Sequence, residues 1–310
     1  MTEKKLLVVG SFTTDFNIRV PHFPQPGETI AGSQFSTNPG GKGANQAYGA
    51  AKLGGQVKMI GCLGADYFGQ VIIENMQSVG VDMAGVKSIP GVASGIAMID
   101  IDDVGQNAIS LAPNANSELT FDMVKEGWQT YQGDFDIILM QFETPYEVMK
   151  QTAKLGKEQG KLVIVNPAPA REIDAEFLAA IDILAPNETE TSILTGMPVG
   201  TRDECVAAAK HLQEMGIRHV ILTLGERGSL VLDAAGQVEF VEPFPIKAVD
   251  TTGAGDAFLA SFCVALAGRA SLVEAARQGN AAGALNATKL GAQGGLPTQA
   301  ELAAFLAERG

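Results

Sequence analysis

The chain has 310 residues, 46% hydrophobic and 18% charged, enough for a sizeable core and unlike a disordered polymer. A formal net charge of −13 excludes a basic footprint, so neither nucleic acid nor an anionic membrane surface is an expected partner. Three histidines and three scattered cysteines (Cys62, Cys205, Cys263), without HExxH or CxxC spacing, disfavour a zinc hydrolase and point to buried free thiols in a reducing compartment.

The start, MTEKKLLVVGSF, is charged and then apolar over too short a run for a signal peptide. No stretch approaches the roughly 18 apolar residues of a membrane span, so a soluble, cytoplasmic protein is expected. LLVVG (6–10), QVKMIGC (56–62), FDIILM (135–140), KLVIVN (161–166), DILAP (182–186) and HVILTLG (219–225) read as continuous apolar strands. Helical patterns at 42–53, 67–79, 145–159 and 202–215 lie between them, and the chain is mainly helical from 253 onward. That alternation predicts an α/β fold: a three-layer, mostly parallel sheet with helices on both faces. FNIRVPHFPQPGETIAGSQFST (16–37) and SGIAMIDIDDVGQNAISLA (94–112) break the rhythm and read as antiparallel excursions. They predict a small β lid, with segments at about 13–38 and 94–112, over the carboxyl ends of the strands of a single 1–310 domain.

The standard phosphate motifs are missing. GGKGANQ places Gly43 after Lys42 where a Walker loop needs Ser or Thr, and Phe258 stands where a dinucleotide fingerprint needs its third glycine. The stretch VDTTGAGDAF (249–258) still makes physical sense as an anion hole. Two glycines let successive N–H groups converge, and the helix that follows adds its positive end. Asp256, in the first turn of that helix, is either a carboxylate that takes a proton from an attacking hydroxyl or a simple cap. GGKGANQA (40–47) opens a helix with Lys42 and Asn45 on one face, and its glycines let a small polar ligand touch the backbone; the alternative is a glycine-rich loop with a solvated lysine. Asp15 and Glu143 each follow a strand end, where a carboxylate can accept from neighbouring hydroxyls or merely close a turn. In PNETE (186–190), Asn187 and Glu190 fit a capping box or a carboxylate ordering water around Mg²⁺. TLGERG (223–228) is a strand running into a glycine turn suited to a nucleotide.

GGKGANQA and VDTTGAGDAF, with NPAPAR (166–171), PNETE, TLGERG and KLGAQGGLP (289–297), resemble the ribokinase-like carbohydrate kinases in order and separation over essentially the whole chain. The resemblance implies ATP-dependent phosphorylation of the terminal hydroxymethyl (O5) of a sugar, D-ribose being the expected acceptor. A 2-deoxyribose, ketohexose or nucleoside kinase, and a regulator that binds without catalysis, are the alternatives. It implies Asp256 as general base, with N–H groups of Gly253, Ala254 and Gly255 forming the anion hole. Asp15, Thr13, Gly41, Lys42, Asn45 and Glu143 would hold the sugar. Asn187, Glu190, Thr223, Gly225, Glu226, Gly228 and Asn280 would line the ATP and Mg²⁺ site. Asp250 would hold a potassium ion, with main-chain oxygens of Thr252, Asn286, Lys289, Gly291 and Gly295. Members often pair through their lids, so a homodimer is expected. Two departures lie on the sugar side. Thr13 stands where many members carry asparagine, and PNAN (113–116) replaces Gly-Ala-Asn, with Asn114 able to take the left-handed conformation of glycine.

Overall fold

Side chains alternate across a strand, so a strand that is apolar at every position has two faces to bury. Strand β1 (Leu6–Val9) does this: Leu6 and Val8 enter one hydrophobic core, Leu7 and Val9 another on the opposite side of the sheet. Burying each such side chain contributes about 1.5–3 kcal/mol. The structure is a computed structural model and describes residues 5–309.

From β1 the chain passes through β2 (Thr13–Arg19), β3 (Ser33–Gly40), helix α1 (Lys42–Lys52), β4 (Val57–Gly64), α2 (Tyr67–Ser78) and β5 (Asp82–Ile89). Then come β6 (Ile96–Ile101), β7 (Asn107–Ala112), a 3-10 turn (Asn114–Glu118), α3 (Phe121–Thr130), β8 (Ile137–Gln141), α4 (Tyr146–Glu158) and β9 (Leu162–Asn166). The middle continues with α5 (Ala175–Leu178), β10 (Ile183–Leu184), α6 (Glu188–Thr195), α7 (Arg202–Glu214), β11 (His219–Thr223), β12 (Ser229–Leu232) and β13 (Val238–Val241). Four helices close the chain: α8 (Ala254–Ala267), α9 (Leu272–Ala287), α10 (Ala292–Gly295) and α11 (Gln299–Arg309).

Among the described residues, nine strands form one sheet in the order β13-β12-β11-β10-β9-β8-β1-β4-β5. It is parallel except for β12 and β13. Those two follow β11 through turns too short for a crossover, which leaves them only antiparallel pairing. Helices α1, α2, α8, α9 and α11 pack on one face, and α3, α4, α5 and α7 on the other. None of the described helices is long and apolar enough to cross a membrane. The chain winds outward from β1 to β4 and β5, then returns to β8 on the other flank of β1 and proceeds away from it. The order therefore reverses between β1 and β8, and in such sheets the crevice opens at the carboxyl ends of the strands there.

A second sheet, ordered β3-β2-β6-β7, is built from the two excursions. Its hairpins are antiparallel, but the central pair, β2 with β6, is parallel rather than antiparallel as the turn-rich pattern suggested. The cause is connectivity: β2 continues from β1 and β6 from β5, two parallel strands, so both leave the main sheet in the same direction.

Candidate active site

The segments leaving the carboxyl ends of the parallel strands carry the candidate residues. Ser11, Thr13 and Asp15 follow β1, Glu143 follows β8, Asn166 ends β9, Asn187 follows β10 and Thr223 ends β11. At the reversal point the Glu143 carboxylate accepts from the Ser11 hydroxyl at 2.5 Å and from the Lys42 N–H at 2.9 Å. Helix α1 has no side-chain cap of its own at Gly41, so Glu143, 101 residues away in sequence, satisfies one of its first N–H groups. Gly41 has φ 92°, and a side chain there would come within 2.8 Å of the Thr13 backbone nitrogen.

The carboxylate of Asp256 is 7% exposed and lies in the first turn of α8, whose N-cap is Gly253. Its partners are side chains rather than the first N–H groups of its helix, which decides against the capping alternative. Asn45 Nδ2 donates to Oδ2 at 3.0 Å and Gln46 Nε2 to Oδ1 at 2.9 Å. Gly253 is in the left-handed region at φ 78°, and a side chain on it would strike the backbone of Ala292 at 2.8 Å. The turn that presents the first N–H groups of α8 thus packs directly on the 291–295 loop.

Charge ties these groups into one neighbourhood. Burial would lower the Lys42 ammonium, yet the carboxylates of Asp256, Glu143 and Glu190 together hold it above its ordinary value. Burial raises Asp15, opposed by a hydrogen bond from Thr13, while Glu143 and Asp256 push it further up. Burial also raises Glu190; the Asn187 N–H and Lys42 pull it down, and Asp256 again acts upward. Lys42 is half-buried and faces these carboxylates, unlike a solvated surface lysine.

On the far side, Asn187 and Glu190 form a reciprocal capping box at the start of α6, each side chain accepting from the other's N–H at 2.8 Å. The capping alternative is therefore realised, and it leaves Glu190 buried facing Lys42. Asn187 bridges to Thr223, which brings PNETE beside TLGERG. Gly225 and Gly228 have φ values of 54° and 85°, and Glu226 between them is exposed. Asn280 lies apart from the carboxylates: its amide donates to the carbonyls of Val241 and Glu242, fastening α9 to the end of β13.

A third group surrounds the start of the 250–256 turn. Asp250 accepts from the N–H groups of Thr252 at 2.9 Å and Gly291 at 2.8 Å. Burial works against its ionisation, but these two donors hold its carboxyl below the ordinary value. Lys289 N–H donates to the carbonyl of Asn286, and Gly295 N–H to that of Gly291; the expected residues thus lie in two segments, 250–252 and 286–295, joined by the Gly291–Asp250 hydrogen bond.

Several residues of the site received no role from the sequence, although Gln46, Asn166 and Gln293 stand inside GGKGANQA, NPAPAR and KLGAQGGLP. Gln46, Gln141 and Asn166 form a buried amide cluster under Asp256, and Ser11 orients Glu143. Gln293 Nε2 donates to Asn45 Oδ1 at 3.1 Å. The cluster's partners lie 95 to 210 residues apart, beyond any motif window. For Gln141 the available hint was its place at the end of the apolar run FDIILMQ.

The model of the pfkB family carbohydrate kinases matches residues 3–299. A ribokinase of Haemophilus influenzae is 40% identical over 303 residues, covering 98% of each chain. A deoxyribokinase of Salmonella typhi is 38% identical over 261 residues, covering 83% of this chain and 84% of the relative. The solved structure of an Arabidopsis thaliana ribokinase complexed with ribose and ATP superposes with a TM-score of 0.90 at 33% identity, covering 98% of this chain and 99% of its own. The parallel sheet with its crevice at the β1/β8 reversal, the second sheet over it and these matches agree: the chain belongs to the pfkB family of carbohydrate kinases.

Proposed function

We propose that this carbohydrate kinase transfers the γ-phosphoryl group of ATP to the terminal hydroxyl (O5) of D-ribose, giving D-ribose 5-phosphate and ADP. The observation that carries the reading is the Asp256 carboxylate, held by Asn45 and Gln46 beside Lys42 at the first turn of α8. The sugar's O5 bonds to the γ-phosphorus as the bond to the ADP oxygen breaks, and the O5 proton passes to Asp256. The N–H groups of Gly253, Ala254 and Gly255, at the positive end of α8, receive the charge on the transferring group. Asp15, Thr13, Gly41, Lys42, Asn45 and Glu143 orient the sugar. Asn187, Thr223, Gly225, Glu226, Gly228 and Asn280 hold the nucleotide, with Glu190 facing the phosphates. Mg²⁺ bound with ATP would neutralise phosphate charge, and the buried Glu190 suits ordering of its water shell.

The donor set around Asp250 fits a potassium ion. The side-chain oxygen of Asn286 is buried with no partner among the described residues. The Lys289 ammonium is turned away onto Glu301 at 2.8 Å. Asp250, Asn286 and the carbonyls of Thr252, Lys289, Gly291 and Gly295 would hold the ion, which would order the anion-hole turn through the Gly253–Ala292 contact. Asp250→Ala is expected to abolish potassium activation; an unchanged ion dependence overturns the assignment.

One observation favours a second reading. The Thr13 hydroxyl donates to Asp15 Oδ1 at 2.7 Å, occupying one of the oxygens offered to the sugar. With a deoxyribokinase among the relatives, 2-deoxyribose is the competing acceptor. The test is ADP release with Mg-ATP and potassium across ribose, 2-deoxyribose, fructose and adenosine. Ribose is expected to have the highest kcat/KM; preference for another acceptor overturns ribose and keeps the chemistry. Asp256→Asn is expected to lower kcat by about 10²–10⁴-fold with binding kept. Full turnover in that variant removes Asp256 from the base role.

A further inference from the structure

Gln46 is fully buried on α1, beside the proposed base and outside the residues expected to touch sugar or nucleotide. Its amide nitrogen donates to Asp256 Oδ1 at 2.9 Å and to Asn166 Oδ1 at 3.2 Å. Its amide oxygen accepts from Gln141 Nε2 at 2.6 Å. The polarity of this cluster is forced from its ends. An ionised carboxylate can only accept. Asn166 spends its NH₂ on the Ala185 carbonyl at 3.0 Å, so its oxygen faces Gln46. Gln46 must therefore present its NH₂ to both, and its oxygen needs a donor on the other side, which Gln141 supplies. A side chain at Gly10 would come within 2.4 Å of Gln141 Oε1, so the bare glycine at the end of β1 makes room for that donor.

We propose that Gln46, oriented by Gln141, is a positioning residue that aims the Asp256 carboxylate; this rests on Asp256 acting as the base. The Gln46 amide holds one carboxylate oxygen while Asn45 grips the other, and together they fix the carboxylate plane.

The experiment is single-turnover phosphoryl transfer, with KM for sugar and ATP measured alongside, on whichever sugar the wild type prefers, for Gln46→Met, Gln141→Met and the double variant. Asp256→Asn serves as the control for the base itself. Gln46→Met fills the same space without a donor. It is expected to slow transfer by about 10²-fold with KM for sugar and ATP unchanged. A lower rate at unchanged KM is the mark of a misaimed base, since a general loosening of the site would raise KM as well. Gln141→Met should slow transfer by less, and the double variant should match Gln46→Met, since Gln141 acts only through Gln46. A folded Gln46→Met with the wild-type rate overturns the proposal. Should that variant not fold, an unchanged rate in Gln141→Met overturns it equally. If Asp256→Asn keeps full turnover, the base assignment fails first, an outcome separable from any behaviour of Gln46.

Discussion

At the residue scale the proposed sugar side of the site is a contest over how charged Asp15 stays. Asp15 is pushed upward by burial and by Glu143 and Asp256, and the Thr13 hydroxyl pulls the other way. Thr13→Val keeps the β-branched shape that strand β2 favours and removes only that donor. Asp15 should then rise further and be protonated over a wider range on the acid side. The expected outcome is a higher KM for the sugar that worsens as pH falls, with kcat nearly kept; a KM independent of pH would show that Thr13 does not tune Asp15. The residue types and positions of Asp15, Lys42, Asn45, Glu143 and Asp256 were legible in the motifs. Gln141 and Ser11 stood outside them, and Gln46, though inside GGKGANQA, had no role there, because glutamine and serine acquire meaning only through what faces them.

At the element scale, strands buried on both faces and long amphipathic helices were legible, since an uninterrupted apolar run has few alternatives. The edge strands β5 and β13 were not legible because their burial patterns are mixed, and β12, though buried throughout, is only four residues long. Asn114 adopts φ 45°, as its side chain allows, and Asn116 clamps both backbone groups of Phe12. Asp66 shows how an element end can anchor the second sheet. It caps α2 through the Gly69 N–H at 2.8 Å and holds the Ser94 N–H and hydroxyl at 2.7 Å, just before β6. Burial opposes its ionisation, but those donors set the carboxyl below its ordinary value. A depressed carboxyl adds stability above its unfolded value, about 3.9, and loses it as pH falls through the lower folded value. Asp66→Ala should therefore cost about 1–2 kcal/mol at neutral pH. Urea unfolding at pH 7 and pH 3 should show that deficit shrinking in acid; an equal deficit at both would mean that the charge contributes nothing.

At the scale of the whole molecule the second sheet leaves apolar residues in solvent: Phe35 at 63%, Met98 at 53%, Ile109 at 58% and Leu111 at 45% exposure. Cross-strand register puts Ile109 and Leu111 on the same face as Asp15. A second copy laid on this face would cover them, and we expect a dimer of the 32.4 kDa chain that Ile109→Lys converts to monomer in sedimentation. A monomeric wild type would overturn that expectation. By itself the sequence determined the alternation of strands and helices, the two glycine-rich turns and the acidic residues at strand ends. These are local patterns, because burial on two faces, positive φ and helix starts each demand particular residues within a few positions. Only the tertiary structure decided that β2 and β6 run parallel, that Glu143 caps a helix 101 residues distant and that buried amides surround Asp256. Those outcomes depend on which strands become neighbours in the sheet, and hydrogen bonds between distant segments leave no periodicity in the chain.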